Sequence, residues 1–294
     1  MALPPEHGGW GLLFEPILIG LIAAPSAQGG LIAVAAVGVF LSRQPLKILL
    51  TDLIAKRRVP RMRHAAWFAA AYLSVGIICG GLALANTGRV LVLPLACAVP
   101  LALVQLAYDA RNRSRGLLPE VCGAAALAVA AAAIAIADGW NTRFAMALWA
   151  VAAARTVPAM VTVRTRVLRM HARSEVDART EVRAYEREGE VRTDERQGEV
   201  QVDERKGSVR ETVAPGPSST AAFVAHATAM AVIYALQRPG FVSRAVLALL
   251  SVLAARAGVT LRASAPRVRA QRIGVEELIV GLASAAALGF FARR

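Results

Sequence analysis

The chain has 294 residues, of which 56% are hydrophobic, and a mean hydropathy of +0.50. That is too apolar for a soluble domain of this length and puts the chain in the polytopic membrane class. Its net charge of +14 would by itself suggest a nucleic-acid binder. The basic residues, however, are segregated into connections between apolar runs and lack the interleaved aromatics that stack bases, so nucleic acid is set aside as a partner.

A spanning helix needs about 20 mostly apolar residues. Nine runs qualify or come close: 11–24, 31–41, 65–85, 90–108, 117–137, 144–163, 220–237, 241–259 and 274–291. The first two are the shortest. Residues 1–9 lack a basic n-region, and the first run shows no small-residue cleavage pattern, so it reads as a retained helix. Lys and Arg alternate between rich and poor connections. Seven lie between runs two and three, only Arg89 follows run three, Arg111, Arg113 and Arg115 follow run four, and Arg143 alone follows run five. Excess positive charge marks cytoplasmic loops, so the expectation is an all-α polytopic membrane protein of about nine transmembrane helices with a cytoplasmic N-terminus. The expected organisation is six helices over residues 1–171, a charged insertion over 172–213, and three helices over 214–294.

The insertion is built from a nine-residue near-repeat, TEVRAYERE, GEVRTDERQ and GEVQVDERK, which alternates charge and lacks large apolar residues. Such a segment cannot bury a core, and it reads as disorder or a fraying helix. It takes 12 of the 20 acids in the chain. The remaining eight are few enough to read one by one: Glu6, Glu15, Asp52, Asp109, Glu120, Asp138, Glu276 and Glu277. On the expected topology all but Asp138 lie toward the cytoplasm, which points to a polar vestibule with paired charges on that side.

Several of these acids have neighbours worth naming. Glu6 and His7 are expected just before the first helix, and Glu15 about one turn inside it, before Pro16 in a Gly-rich stretch that suggests a re-entrant or interfacial segment. Arg43 and Lys47 are expected to open the second cytoplasmic connection, five residues ahead of Asp52 in the case of Lys47. Arg155 falls inside the sixth run with Pro158 and Arg164 behind it; an arginine at that depth must pair or snorkel, and the proline can open the backbone ladder to form a cavity wall. His226, the one histidine inside a confident span, reads as a packing residue. Cys79, Cys97 and Cys122 are odd in number, lack metal-ligand spacing and read as buried small hydrophobes. Nucleotide-loop, zinc-protease and serine-hydrolase motifs are absent from the sequence.

The segments PPEHGGWGLLFEP, SRQPLKILLTDL, YDARNRSRGLLPE and the closing IGVEELIVGL resemble the YwiC-like family of bacterial integral membrane proteins. That resemblance implies a bacterial inner-membrane location and no particular chemistry. Nine spans with polar loops after helices two, four and six also resemble, in architecture, the UbiA-type prenyltransferases. In that likeness Tyr108, Arg113 and Gly123 match a basic loop running to Pro and Gly, with Pro119 displaced by one position. The aspartate-rich motifs of that superfamily, which bind magnesium diphosphate, are missing: those places read SRQPLKILLTDL, with Asp52 its one aspartate, and RTVPAMVTVRTRVLR, with none. A magnesium cofactor is therefore not expected in the usual arrangement.

Arginine binds phosphate directly through its bidentate fork, so the expected site is metal-free. Arg111, Arg113, Arg155 and Arg164 are expected to hold phosphate. Glu6, His7, Asp52 and Asp109 are expected to orient them or exchange protons, with Glu15, Arg43, Lys47, Tyr108, Glu120 and Glu277 lining the same cavity. Three functions compete: binding of an anionic lipid or isoprenoid phosphate with possible transferase chemistry, transport of a small anion, and service as an accessory or scaffold subunit of a membrane complex. The expected partners are membrane lipids and one of these anions.

Overall fold

The computed structural model describes residues 7–56, 59–111, 113, 116–197, 219–262 and 270–293. Among them the chain is all-α. The helices are α1 His7–Ala23, α2 Ala27–Ile54, α3 Arg61–Thr87, α4 Val92–Ala110, α5 Leu117–Ala137, α6 Thr142–Gln197, α7 Thr220–Gln237, α8 Arg244–Arg262 and α9 Ala270–Ala292. A 3₁₀ turn, Arg89–Leu91, leads into α4. All of these but α1 are long and apolar enough to cross a bilayer, α6 over Thr142–Ser174. The protein is thus a polytopic membrane protein, as the hydropathy pattern predicts.

Two expected boundaries move. The second run, 31–41, lies inside a 28-residue helix that carries on through Pro45 to Ile54. Arg43, Lys47 and Asp52 therefore stand on α2, and the connection to α3 shrinks to residues 55–60. The cause is composition: LKILLTDLI beyond Pro45 is itself largely apolar, and α3 packs along α2. Ser26 caps the start of α2 by accepting from the Gly29 N–H at 3.0 Å. On α6, backbone helix extends to Gln197, past the expected end at residue 171; residues 198–218 of the repeat region lie outside the described residues.

Neighbouring helices run in alternating directions, and the side-chain register shows it. Gly38 on α2 faces Tyr72 and Gly76 on α3, so these two are antiparallel and approach closely through small residues, the way membrane helices pack without a hydrophobic driving force. The Trp149 indole on α6 donates to Ala125 O on α5 at 3.0 Å, while Arg164 reaches Glu120 nearer the other end, again antiparallel. By contrast α1 and α9 are parallel. A side chain at Gly289 would run into Ile22, and one at Gly281 into the Glu15 carboxylate.

At 17 residues, about 25 Å, α1 is shorter than the ~30 Å hydrocarbon core. It does not need to match that thickness because protein wraps it. Leu13, Ile17, Ile19 and Ala23 are buried, and α9, α5, α2 and α6 surround it. The Ala-rich second half of α5, from Ala128 to Ile136, is buried as well and forms the other half of the core. The outward faces of α3 and α4 carry exposed Trp67, Ile77, Ile78 and Leu103, as lipid-facing surfaces do. Among the described cysteines none is disulfide-bonded; Cys122 is buried, and Cys79 and Cys97 are half-buried.

Candidate functional site

The helix directions bring the C-terminal ends of α2, α4 and α8, the N-terminal ends of α3, α5 and α9, and the middle of α6 to one end of the bundle. Of the described acids outside the repeat segment, all but the exposed Asp138 lie toward that end, and each of these is met by an arginine. Asp109, fully buried in the last turn of α4, accepts from Arg43 Nε at 2.8 Å and Nη2 at 3.3 Å, a two-pronged pair. The Gln105 amide, turned so that its oxygen faces Arg43, adds an acceptor at 3.1 Å. Asp52, 1% exposed, is held in the same way by Arg61 from the start of α3. On α5 Glu120 accepts from Arg164, and on α9 Glu277 accepts from Arg256 at 2.8 Å and Arg166 at 3.4 Å, with Glu276 taking the other Arg256 nitrogen at 2.9 Å.

The deepest pair differs from these. Arg155 on α6 is 5% exposed and Glu15 on α1 is 6% exposed, so both are taken out of water. Arg155 Nε donates to Ser284 Oγ on α9 at 2.7 Å, and Ser284 in turn donates to Gly281 O at 3.0 Å. Its Nη2 stands 3.7 Å from Glu15 Oε1, close enough for charge pairing and too far for a hydrogen bond. Neither Nη group makes a hydrogen bond to protein, and Glu15 Oε2 is buried without a partner. Gly281 makes the approach possible: a methyl group there would overlap the Glu15 carboxylate and come within 3.3 Å of Arg155 Nη2.

Arg155 also lines a cavity of about 30 Å³ between α6, α7, α8 and α9, together with Thr162, His226, Arg256 and Glu277. Pro158 forms part of its wall. Having no N–H, it leaves the Ala154 carbonyl, also in the lining, without its usual helical donor. Thr162 Oγ1 donates to Pro158 O at 2.9 Å, and His226 Nδ1 is 2.9 Å from Ala222 O, so that histidine is engaged by its own helix while its ring faces the cavity.

The sequence-based candidates thus divide. Glu15, Arg155 and Glu277 come together around the α1–α6–α9 contact. Arg43, Asp109 and Asp52 form a separate group on α2 and α4, near which Lys47 is half-buried and also engaged. Arg164 and Glu120 satisfy each other between α5 and α6. Arg111 and Arg113 are exposed at the α4–α5 turn, where Arg111 bonds Ala107 O at 3.1 Å, and Tyr108 contributes its carbonyl to that turn. They are not gathered with Arg155 as expected. Glu6 and the side chain of His7 lie outside the described residues. Glu15 falls in the third turn of a continuous helix and not one turn into an interfacial segment, because α1 begins at His7 and runs through Pro16 within the protein core. The residues missed from sequence are Ser284, Gly281, Arg256, Arg166 and Arg61. Arg256, flanked by apolar residues within the eighth run, carried the same signal as Arg155. Among the described residues no three His, Cys, Asp or Glu side chains converge.

No curated protein and no solved structure matches the chain. A family match covers α1 to α5 almost entirely, taking in EHGGW, Glu15, Asp52 and Asp109 but neither Arg155 nor the closing IGVEELIVGL. Over residues 3–135 the chain matches the family described as YwiC-like protein, the family to which its N-terminal motifs point.

Proposed function

We propose that this integral membrane protein binds an anionic group at Arg155, the group being the phosphate of an anionic lipid or an isoprenoid phosphate. The observation that carries the reading is a buried guanidinium with both Nη groups free of protein hydrogen bonds, facing a cavity with a second arginine, Arg256, on its wall. Those donors open on the cavity, where an anionic acceptor could take charge-assisted hydrogen bonds from them, the stronger kind. The cavity has room for little more than a water or two. A lipid suits that size: its phosphate oxygens enter while its chains stay in the surrounding hydrocarbon. Transferase chemistry on an isoprenoid phosphate would be a consequence of such binding, in a bacterial plasma membrane.

A second reading, transport of a small anion, is favoured by the depth of Arg155 and by the prolines that interrupt hydrogen bonding in α1 and α6 beside it. The test is thermal unfolding of the detergent-purified protein with phosphatidic acid, an isoprenyl diphosphate, inorganic phosphate and nitrate, each with and without magnesium. A ligand that binds only the folded state raises its apparent stability. Stabilisation by the lipid phosphates, independent of magnesium and lost in Arg155→Gln, is the expected result. Stabilisation by nitrate or phosphate alone selects transport. No stabilisation by any of the four refutes anion binding and leaves a scaffold role in a membrane complex.

A further inference from the structure

Glu15 occupies the position an anion would want. Its Oε1 is the carboxylate oxygen that Arg155 pairs with, yet at 3.7 Å it stops short of a hydrogen bond, and its Oε2 is buried with no partner at all. A carboxylate committed to being an ion-pair partner would be expected to close that gap and satisfy both oxygens, as Asp109 and Asp52 do with Arg43 and Arg61. Glu15 is held loosely in a place shaped for it by Gly281.

Among the described residues, the surroundings of Glu15 supply no other positive charge that is not already paired. Of the helices packed on α1, α6 contributes Arg155, and α9 contributes Glu277, one turn before Gly281 and already paired with Arg256 and Arg166. On α5 the titratable groups are Glu120, engaged by Arg164, and Cys122. On α2, Arg43 is engaged by Asp109 and Asp52 by Arg61, while Lys47 stands a turn farther along with a partner of its own. An anion that takes the Nη groups of Arg155 therefore brings a second negative charge beside Glu15 in a medium that screens it poorly, with one guanidinium between them.

This inference rests on the anion reading above and adds what must accompany the ligand. We infer that an anion bound at Arg155 enters together with one proton, which Glu15 takes up on its carboxylate, so that the site fills with a neutral pair. The proton comes from the solution on the side where Arg256 and Glu277 line the cavity. With Glu15 neutral, Arg155 is released to the ligand, and the carboxyl O–H gains the role of donor to it. The same coupling gives a lipid phosphodiester site a dependence on pH, and gives a transported anion a proton to travel with.

The experiment uses anions that do not themselves titrate near neutrality: sodium nitrate, and phosphatidylglycerol in mixed micelles. Binding to the purified full-length protein is measured by calorimetry from about pH 5.5 to 8.5, in buffers of different ionisation enthalpy, so that proton uptake is read directly. The expected result is close to one proton taken up per anion, with affinity falling toward tenfold per pH unit in the upper part of the range. Glu15→Gln should bind without proton uptake and with a flat pH profile. Should that variant fail to fold, difference infrared spectroscopy on the wild type reads the protonated-carboxyl band when nitrate or the lipid is added. Anion binding with no proton uptake and no such band overturns the inference while the anion site stands. Uptake that persists in Glu15→Gln also overturns it. No binding of either anion overturns the site and the inference together.

Discussion

Replacing Arg155 by Met tests whether the deep pair holds the bundle together. The substitution keeps much of the apolar stem and removes the charge, leaving Glu15, 6% exposed, with no counter-charge among its neighbours. At 3.7 Å and an effective dielectric constant of about 20, the attraction lost is about 4 kcal/mol. Breaking buried pairs by removing one partner costs about 3–5 kcal/mol, most of it the stranded charge. Removing both charges is different, because apolar replacements of buried pairs are often neutral. The double variant Glu15→Gln/Arg155→Met should therefore recover most of the loss. The assay is reversible unfolding in mixed detergent micelles, run as a double-mutant cycle. A coupling of about 2 kcal/mol or more is expected. A single Arg155→Met variant within about 1 kcal/mol of wild type, or a double variant no better than the single, refutes the pairing. The half-exposed Arg256–Glu276 contact serves as the internal contrast and should couple by less than about 1 kcal/mol.

Gly281→Ala should destabilise by about 1–3 kcal/mol, because its methyl meets the buried Glu15 carboxylate; the same stability assay checks it. Gly123→Ala offers the comparison: its methyl meets only the end of the Gln105 side chain, which can rotate away, so a loss well under that of Gly281→Ala is expected. Gly38→Ala meets the Tyr72 carbonyl at 2.8 Å and the Gly76 nitrogen at 3.0 Å, and backbone cannot yield as a side chain can. It should cost about 1–3 kcal/mol and separate α2 from α3, which a cysteine pair placed across that contact would report as slower crosslinking. Single cysteines introduced at Lys56 and Arg111 in a cysteine-free background should be shielded from impermeant maleimide in intact cells, and ones at Gly88 and Asn141 should be labelled. The reverse pattern turns the N-terminus outward.

Much of the fold could be read from hydropathy alone, since spans must be long and apolar whatever they pack against. The third to fifth and seventh to ninth runs match helices within a few residues, and the sixth matches at its start while its helix runs on to Gln197. The second does not, because Arg43, Lys47 and Asp52 look like loop residues one at a time; they stay helical because Asp109, Arg61 and other neighbours pair them in three dimensions. The site was half legible. A lone glutamate in a Gly-rich apolar helix and a lone arginine in another each announce a partner, and Glu15 and Arg155 do meet. Which of the 25 basic residues outside the repeat segment answers which acid is set by helix neighbours far apart in sequence, as with Arg43 and Asp109, 66 positions apart. Ser284 and Gly281 carried no signal, because a small residue in a membrane helix has many reasons to be there.

The parallel contact of α1 with α9 has a consequence for how the protein is made. The ribosome delivers α1 well before α9, and until α9 arrives the groove that receives Glu15 at Gly281 and Ile22 at Gly289 does not exist. At 17 residues α1 thus enters the membrane short, with an unpaired carboxylate, and must wait through the synthesis of some 250 residues for its lasting neighbour. During that wait it is a natural client for membrane chaperones and quality-control proteases. Arg293 Nε, donating to Ile22 O at 2.7 Å at the far end of the contact, is among the last bonds that release it.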